Sequence, residues 1–408
     1  MRSQIEQLHD ISHKSERRII GLMSGTSLDG LDIAVCRISG HGCDSNISLE
    51  HFITCDYDDA FKQQILTVFA KPQVCFESLC LLNATIAQTH AKLINQQLKE
   101  WGISAVDIDL IASHGQTVFH APKSLHKRLD KPNATLQIGD GDHLAALTGI
   151  ITISDFRQKH VAYGGEGAPL AMYGDYLILG DANIDRYLLN IGGIANFTFL
   201  PAQSSFNHVI CSDVGPGNTL MDAFVRKHFG IDYDKDAQLA MQGKLLPSLF
   251  ADLIGDAFFK LPLPKTTGPE YFNMRWLSQY LDNRDTAHNT LDILCTLNHL
   301  SAFTIASSMQ QLLNKASHKH SVQILTSGGG SHNQFLIGNI EHYLGFKVAG
   351  NTNVAGIQPD AKEAILFALL ANETVAGHPS TFGGNLSDID PPQISNKPAI
   401  SMGKISLP

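Results

Sequence analysis

From Arg18 onward, runs of apolar residues punctuated by turn formers predict strands: RIIGLMS, a turn across Gly25 to Gly30, LDIAVCRIS, and a third β-rich run, ISLEHFITCDY. Three strands joined by short turns predict an antiparallel meander. Two stretches with helical period follow, Asp58 to Ala70 and Phe76 to Glu100, before the apolar strand DLIASHG and the alternating segment ATLQIG. A mixed sheet covered by helices is the simplest way to bury these faces.

Near Arg186 the order restarts. RYLLNIGGIANFTFL reads as strand, Gly-containing turn, strand, and HVICSDVGPG as a further strand ending in a turn. Helices expected over Thr219 to His228, Gln238 to Lys260 and Leu291 to Asn314 lead to the strand VQILTSGGG, and a last helix is expected over Asp360 to Ala376, before a Gly/Pro-rich tail that reads as loop. Both halves open β-turn-β and add helices afterwards, which predicts a duplicated α/β architecture of two lobes with mixed sheets, helices on them and a cleft between. The expected division is an N-terminal extension at 1–17, a first lobe at 18–155 joined by the tail at about 377–408, and a second lobe at 156–376.

Composition narrows the function. With 408 residues, 43% hydrophobic and 17% charged, two domains are the natural expectation. A net charge of −9 gives no reason to approach nucleic acid or anionic lipid, so neither is expected as a partner. Seven cysteines at irregular positions form no CxxC pair and read as reduced thiols. The first 17 residues are polar, without the apolar core of a secretion signal, so a cytoplasmic protein with a partly disordered extension is expected.

Four glycine-centred segments fall at strand ends: Gly25-Thr26-Ser27-Leu28-Asp29-Gly30, Gly192-Gly193, Gly215-Pro216-Gly217-Asn218 and Gly328-Gly329-Gly330. Each alone is compatible with an ordinary turn; together they suit a nucleotide site, because glycine lets backbone amides approach phosphate oxygens. Neither a Walker A sequence nor a complete GxGxxG is present. In GTSLDGLD the hydroxyls of Thr26 and Ser27 can donate to phosphates, and Asp29 and Asp32 bring carboxylates that need Mg²⁺ beside a triphosphate, usually through water. Asp29-Gly30 is equally a hairpin signal.

Asp213 ends a β-rich run just before Gly-Pro-Gly, where an ionised carboxylate can act as general base. Asn218 in the same turn reads first as a helix N-cap. His114, with Gln116 and Thr117, offers a polar edge for a sugar, although a lone histidine is more often structural. Gly165, Glu166 and Gly167 in GGEGAPL mark a loop near a ligand or a domain junction, and Glu363 heads the last helix, where it can meet sugar hydroxyls or simply solvent.

The segments GLMSGTSLDGLD, SHGQT, QIGDGDHLA, DFR through GGEGAPL, NIGGIANFT, DVGPGNTLMDAF, KTTGPEYFN and SGGGSHN run in order along nearly the whole chain. Together they resemble the anhydro-N-acetylmuramic acid kinases, members of the sugar kinase, actin and heat-shock chaperone superfamily. The resemblance implies two ribonuclease-H-like lobes in an actin-like ATPase fold. It further implies ATP with Mg²⁺, and a reaction in which water opens the 1,6-anhydro bridge while O6 takes the γ-phosphate, giving N-acetylmuramic acid 6-phosphate during cell-wall recycling. Asp213 matches the family's water-activating base. Gly25 to Asp32, Leu28 and Leu31 included, match the ATP turn, with Asn196 in the second glycine motif, and Glu363 matches a sugar contact. Two departures stand out: the extension at 1–17, and Glu166 where glutamine is common.

The alternatives are a sugar kinase of the same superfamily in which the sugar's own hydroxyl attacks, and an ATP-gated binding protein of the actin or chaperone kind. The expected partners are the sugar and ATP, with a homodimer left open.

Overall fold

The computed structural model describes residues 2–25, 28–167, 170–202, 206–281, 289–313, 320–351, 361–378 and 401–408. In chain order the elements are α1 (Arg2–His13), β1 (Glu16–Ser24), β2 (Gly30–Ser39), β3 (Asn46–Asp56), α2 (Asp59–Leu66), α3 (Phe76–Trp101), β4 (Leu110–Ala121), α4 (Lys123–His126), β5 (Ala134–Ile138), α5 (Gly141–Thr148), β6 (Thr152–Ser154), α6 (Phe156–Ala162) and α7 (Ala171–Leu179). There follow β7 (Ile184–Ile191), β8 (Ile194–Leu200), β9 (Ile210–Pro216), α8 (Thr219–Phe229), α9 (Pro247–Ile254), α10 (Met274–Leu281), α11 (Thr290–Leu313), β10 (Ser321–Ser327), α12 (Gln334–Leu344), β11 (Gly350–Asn351), α13 (Lys362–Ala376) and β12 (Lys404–Ser406). No helix among the described residues is long and apolar enough to cross a membrane.

The chain forms two compact units. The first comprises residues 1–178, 205–207 and 360–408, and the second 179–204 and 208–359. In the first, β1, β2 and β3 form an antiparallel meander, β4 runs parallel to β1 and β6 parallel to β4, so the order is β3-β2-β1-β4-β6, extended by antiparallel β12. In the second, β7, β8 and β9 form the meander, β10 is parallel to β7 and β11 to β10, giving β9-β8-β7-β10-β11. Meander first, then two parallel strands on the far side of the first strand, is the ribonuclease-H-like order, and it occurs twice, as the restart near Arg186 anticipates.

Each sheet buries an apolar face of its own. Ile20, Leu22, Ile33, Val35 and Ile111 pack with Ile86 and Ile94 of α3 in the first unit, and Leu189, Ile191, Phe197 and Val214 pack with Phe224 of α8 and Ile305 of α11 in the second.

Three expectations are corrected. Residues 2–17 are not a loose extension: α1 packs on α13, Ile11 is buried, Lys14 pairs with Asp109 at 2.5 Å, and buried Arg17 donates to Asn372. The boundary falls at residue 179 rather than 156, and the final helix belongs to the first unit, where it lies on β1, β2 and β4. Its fit depends on Gly21, whose Cβ would stand 1.9 Å from the Ala364 carbonyl oxygen. The helix expected over Gln238 to Lys260 is a short α9 flanked by single 3₁₀ turns, because Gly243, Pro247 and Gly255 interrupt it.

Candidate active site

In the first unit, β1 hands over to β2 through the GTSLDG turn, of which Thr26 and Ser27 lie outside the described residues. The Leu28 amide donates to the Gly25 carbonyl at 3.4 Å and Leu28 takes φ +60°, an unfavourable left-handed setting that a turn must impose. Gly30 cannot carry a side chain, since its Cβ would meet the Cys55 carbonyl at 2.4 Å. Asp29 is exposed, and Asp32, half-buried, accepts from the Thr54 hydroxyl at 2.6 Å.

The turn is braced from below. Gln116 is fully buried, donates through Nε2 to the Gly25 carbonyl at 3.2 Å, and accepts from the Ser24 hydroxyl at 2.5 Å. Ser24 lies 2.9 Å from the Tyr57 hydroxyl, which reaches His90 Nε2 at 2.7 Å. Burial holds His90 down to about 3, so the ring is neutral. Gln116 therefore braces the Gly25 to Gly30 turn. Thr117 Oγ1 accepts from Gln137 at 3.1 Å.

His114 owes its placement to a β-bulge. Leu22 pairs with Ser113 but Ser24 with Gln116, so β4 carries one residue more than β1, with Gly115 at φ +74°. The buried His114 ring packs 4.8 Å from Phe367 of α13, and its Nε2 accepts from Arg157 Nε at 2.8 Å. Burial and then the Arg157 charge hold this histidine down to about 3. It is a neutral acceptor that orients an arginine.

Arg157 Nη1 also donates to the Gly167 carbonyl at 2.7 Å, the Gly167 amide donates to His160 Nδ1 at 2.9 Å, and Asn133 donates to the Gly165 carbonyl at 3.1 Å. The GGEG loop is thus fixed as far as Gly167, and Gly165 is obligatory because a Cβ would sit 2.2 Å from the His160 ring. Glu166 is half-buried and its charge reaches His120. Glu363, at the start of α13, has its carboxyl raised by burial; the Arg157 charge opposes that shift and the Asp32 charge adds to it. Asp32, Arg157 and Glu363 therefore share one electrostatic neighbourhood within this unit.

In the second unit, register places Asn190, Asn196 and Asp213 side by side across β7, β8 and β9, and Ser327 beside Asn190 on β10. This row is less buried than Leu189, Ile191, Ala195 and Phe197, which alternate with it and fill the core. The Asp213 carboxylate accepts from the Thr267 amide at 2.9 Å, and its own amide donates to the Lys265 carbonyl at 3.0 Å. The KTTG segment thereby clamps the end of β9, anchored in turn by the buried Lys265 ammonium over the Phe258 ring at 4.6 Å. Burial raises the Asp213 carboxyl, the Thr267 amide draws it back, and the Glu270 charge raises it further.

The glycine turns stack on one another. The amides of Gly217, Asn218 and Thr219 donate to the Gly192 and Gly193 carbonyls at 2.8–3.0 Å, so those three amides are already engaged. Asn218 stands at the N-cap position without capping α8, its side chain donating instead to the Ile191 carbonyl at 3.4 Å. A Cβ at Gly217 would meet the Gly192 oxygen at 2.3 Å, and one at Gly330 the Ile191 side chain at 2.3 Å. Gly215 passes close to Phe259, and Gly328, at φ +78°, fits against Asn190. Gly329 faces open space.

Beside these turns lies a cavity of about 560 Å³ lined by Asp222, Tyr233, Asp234, Gly329 and Asn333. That volume suits a nucleoside. Its far wall, around Tyr233 and Asp234, comes from a loop whose sequence carries no motif, so it is not legible beforehand. Arg157 is likewise missed, its only sequence signal being its place in DFR.

Among the described residues no group of three or more His, Cys, Asp or Glu is arranged to hold a metal. Asp29 and Asp32 offer hard oxygens only, a donor set that fits Mg²⁺ carried chiefly by phosphates and water.

Residues 17–386 match the model of the anhydro-N-acetylmuramic acid kinase family. A protein of that name from Pseudoalteromonas atlantica (strain T6c / ATCC BAA-1087) is 50% identical with 100% of both chains covered, so its alignment includes the N-terminal helix. Another from Pseudoalteromonas translucida (strain TAC 125) is 44% identical, again over 100% of both, and one from Caldanaerobacter subterraneus subsp. tengcongensis is 36% identical over 99% of this chain and 100% of its own. Among solved structures, component A of Acidaminococcus fermentans (R)-2-hydroxyglutaryl-CoA dehydratase overlaps 88% of this chain and 99% of its own with TM-score 0.38 and 11% identity. A ROK family glucokinase from Streptomyces griseus overlaps 86% and 98% with TM-score 0.33 and 12% identity. On the strength of the family match and these relatives, the chain belongs to the anhydro-N-acetylmuramic acid kinase family.

Proposed function

We propose that this kinase opens the 1,6-anhydro ring of anhydro-N-acetylmuramic acid with water and transfers the γ-phosphate of ATP to O6, in the cytoplasm, as a step of cell-wall recycling. The observation that carries the reading is the Asp213 carboxylate, held at a strand end by the Thr267 amide and raised by burial above the ordinary aspartate range. A carboxylate with a raised pKa is a stronger base in its ionised form.

In the step itself, Asp213 takes one proton from water as the water oxygen bonds to C1. The C1–O6 bond breaks, its electron pair goes to O6, O6 bonds to the γ-phosphorus, and ADP departs. An alkoxide is a poor leaving group, so phosphoryl capture relieves charge on O6 as it develops. The Gly25 to Asp32 turn and the Gly192, Gly217 and Gly328–Gly330 turns serve the nucleotide, the cavity at Tyr233 and Asp234 taking its nucleoside. Mg²⁺ held through Asp29 and Asp32 would neutralise the phosphates. Glu363 accepts from a sugar hydroxyl.

Turnover in ¹⁸O-water is the test. One ¹⁸O at the anomeric hydroxyl, with a product mass that has gained both water and phosphate, supports the reading; a phosphorylated sugar without the label means that the sugar's own hydroxyl attacked, and ATP hydrolysis indifferent to the sugar favours an ATP-gated binding protein.

A further inference from the structure

Arg157 is half-buried, yet its hydrogen-bond partners among the described residues are neutral: His114 Nε2 and the Gly167 carbonyl. Glu363 influences the cation without pairing with it within 4 Å. The nearby ammonium groups are placed differently, Lys362 being paired with Asp175 at 2.7 Å and Lys404 with Asp155. Nε and Nη1 are thus fixed by neutral acceptors, Glu363 acts on the charge only from a distance, and Nη2 donates to no described residue. Removing a guanidinium from water costs free energy that a carboxylate partner best offsets. Here the fold supplies no hydrogen-bonded carboxylate among the described residues, only the more distant Glu363, while a histidine, a glycine loop and a β-bulge hold the fork still. A pre-oriented fork is what bidentate recognition of a carboxylate requires.

Resting on the functional reading above, we propose that Arg157 is the specificity residue for the lactyl ether carboxylate of the substrate, with His114 as its positioning residue. The lactyl group is all that separates an anhydro-muramic sugar from the corresponding anhydro-glucosamine sugar, and it is anionic at neutral pH. A cation fixed by neutral acceptors tells the two apart. The GGEG loop belongs to this device because the Gly167 carbonyl sets the plane of the guanidinium.

The test compares kcat/KM of the full chain on 1,6-anhydro-N-acetylmuramic acid and 1,6-anhydro-N-acetylglucosamine. Charge-assisted hydrogen bonds to a carboxylate predict that wild type prefers the muramic sugar on the order of 10- to 100-fold, that Arg157→Gln collapses the ratio by that factor, mainly through KM, and that Arg157→Lys restores part of it. His114→Gln shifts the ratio the same way by less. An active wild type that treats the two sugars alike overturns the proposal without any variant, and so does an Arg157→Gln enzyme whose two activities fall in parallel. Wild type inactive on both sugars overturns the functional reading and this proposal with it.

Discussion

Burial lifts the Asp213 carboxyl, the Thr267 amide lowers it, and the Glu270 charge lifts it again. As a base, Asp213 must be ionised, so kcat/KM rises with pH through its raised pKa and falls below it. The acid limb should therefore lie above the reference value of about 3.9 for a free aspartate, and Glu270→Gln should move it to lower pH. Asp213→Asn is expected to cost on the order of 10² to 10⁴ in kcat with little change in KM for ATP. The same substitution should leave thermal stability equal or higher, since it removes a desolvated charge; a variant that retains near-wild-type kcat refutes the assignment.

His90 and His114 provide a second prediction at this scale. Both are neutral when folded, held down to about 3, whereas an unfolded chain protonates histidine near 6.5. Between those values the unfolded state binds more protons, so stability is lost as pH falls through that window, at roughly 1.4 kcal/mol per pH unit for each histidine. His90→Gln should flatten the slope of unfolding free energy against pH measured in denaturant titrations. The position of Asp213 near the end of β9 and outside the core was legible from sequence, because Gly-Pro-Gly ends the strand there. The protein partners of Gln116 and His114 were not legible, because polarity reads alike whether a side chain meets a ligand or another buried polar group.

Elements followed apolar patterning closely where one sheet face is core, as in β1 to β3 and β7 to β9, and failed where chain order was taken for spatial order. α13 follows the second unit in sequence yet covers β1, β2 and β4, its small residues Ala364 and Ala368 admitting the strand beneath. No periodicity could show that, because any sheet can accept an apolar helix. Gly21→Ala tests the packing: with the Ala364 oxygen 1.9 Å from the new methyl, it should destabilise the protein by at least about 1–3 kcal/mol, read from the unfolding midpoint at unchanged m-value. Gly329→Ala, at a position with open space around it, is the matched control.

At the scale of the molecule, the second unit is nearly continuous, from residue 179 to 359 apart from 205–207, whereas the first is closed by α13 and by β12 on the edge of β6. A chain ending at residue 360 should lose the unfolding transition of the first unit and keep that of the second, which pulse proteolysis with fragment mapping would resolve; loss of both, or of neither, contradicts the division.

That division has a consequence for biosynthesis. A ribosome delivers the N-terminal half first, but the helix that roofs β1 and the strand that closes β6 are made only after the whole of the second unit. The second unit has its whole chain while the first still presents a bare apolar sheet. The nascent protein is therefore expected to mature in reverse of its order of synthesis and to lean on a holding chaperone until α13 and β12 have emerged.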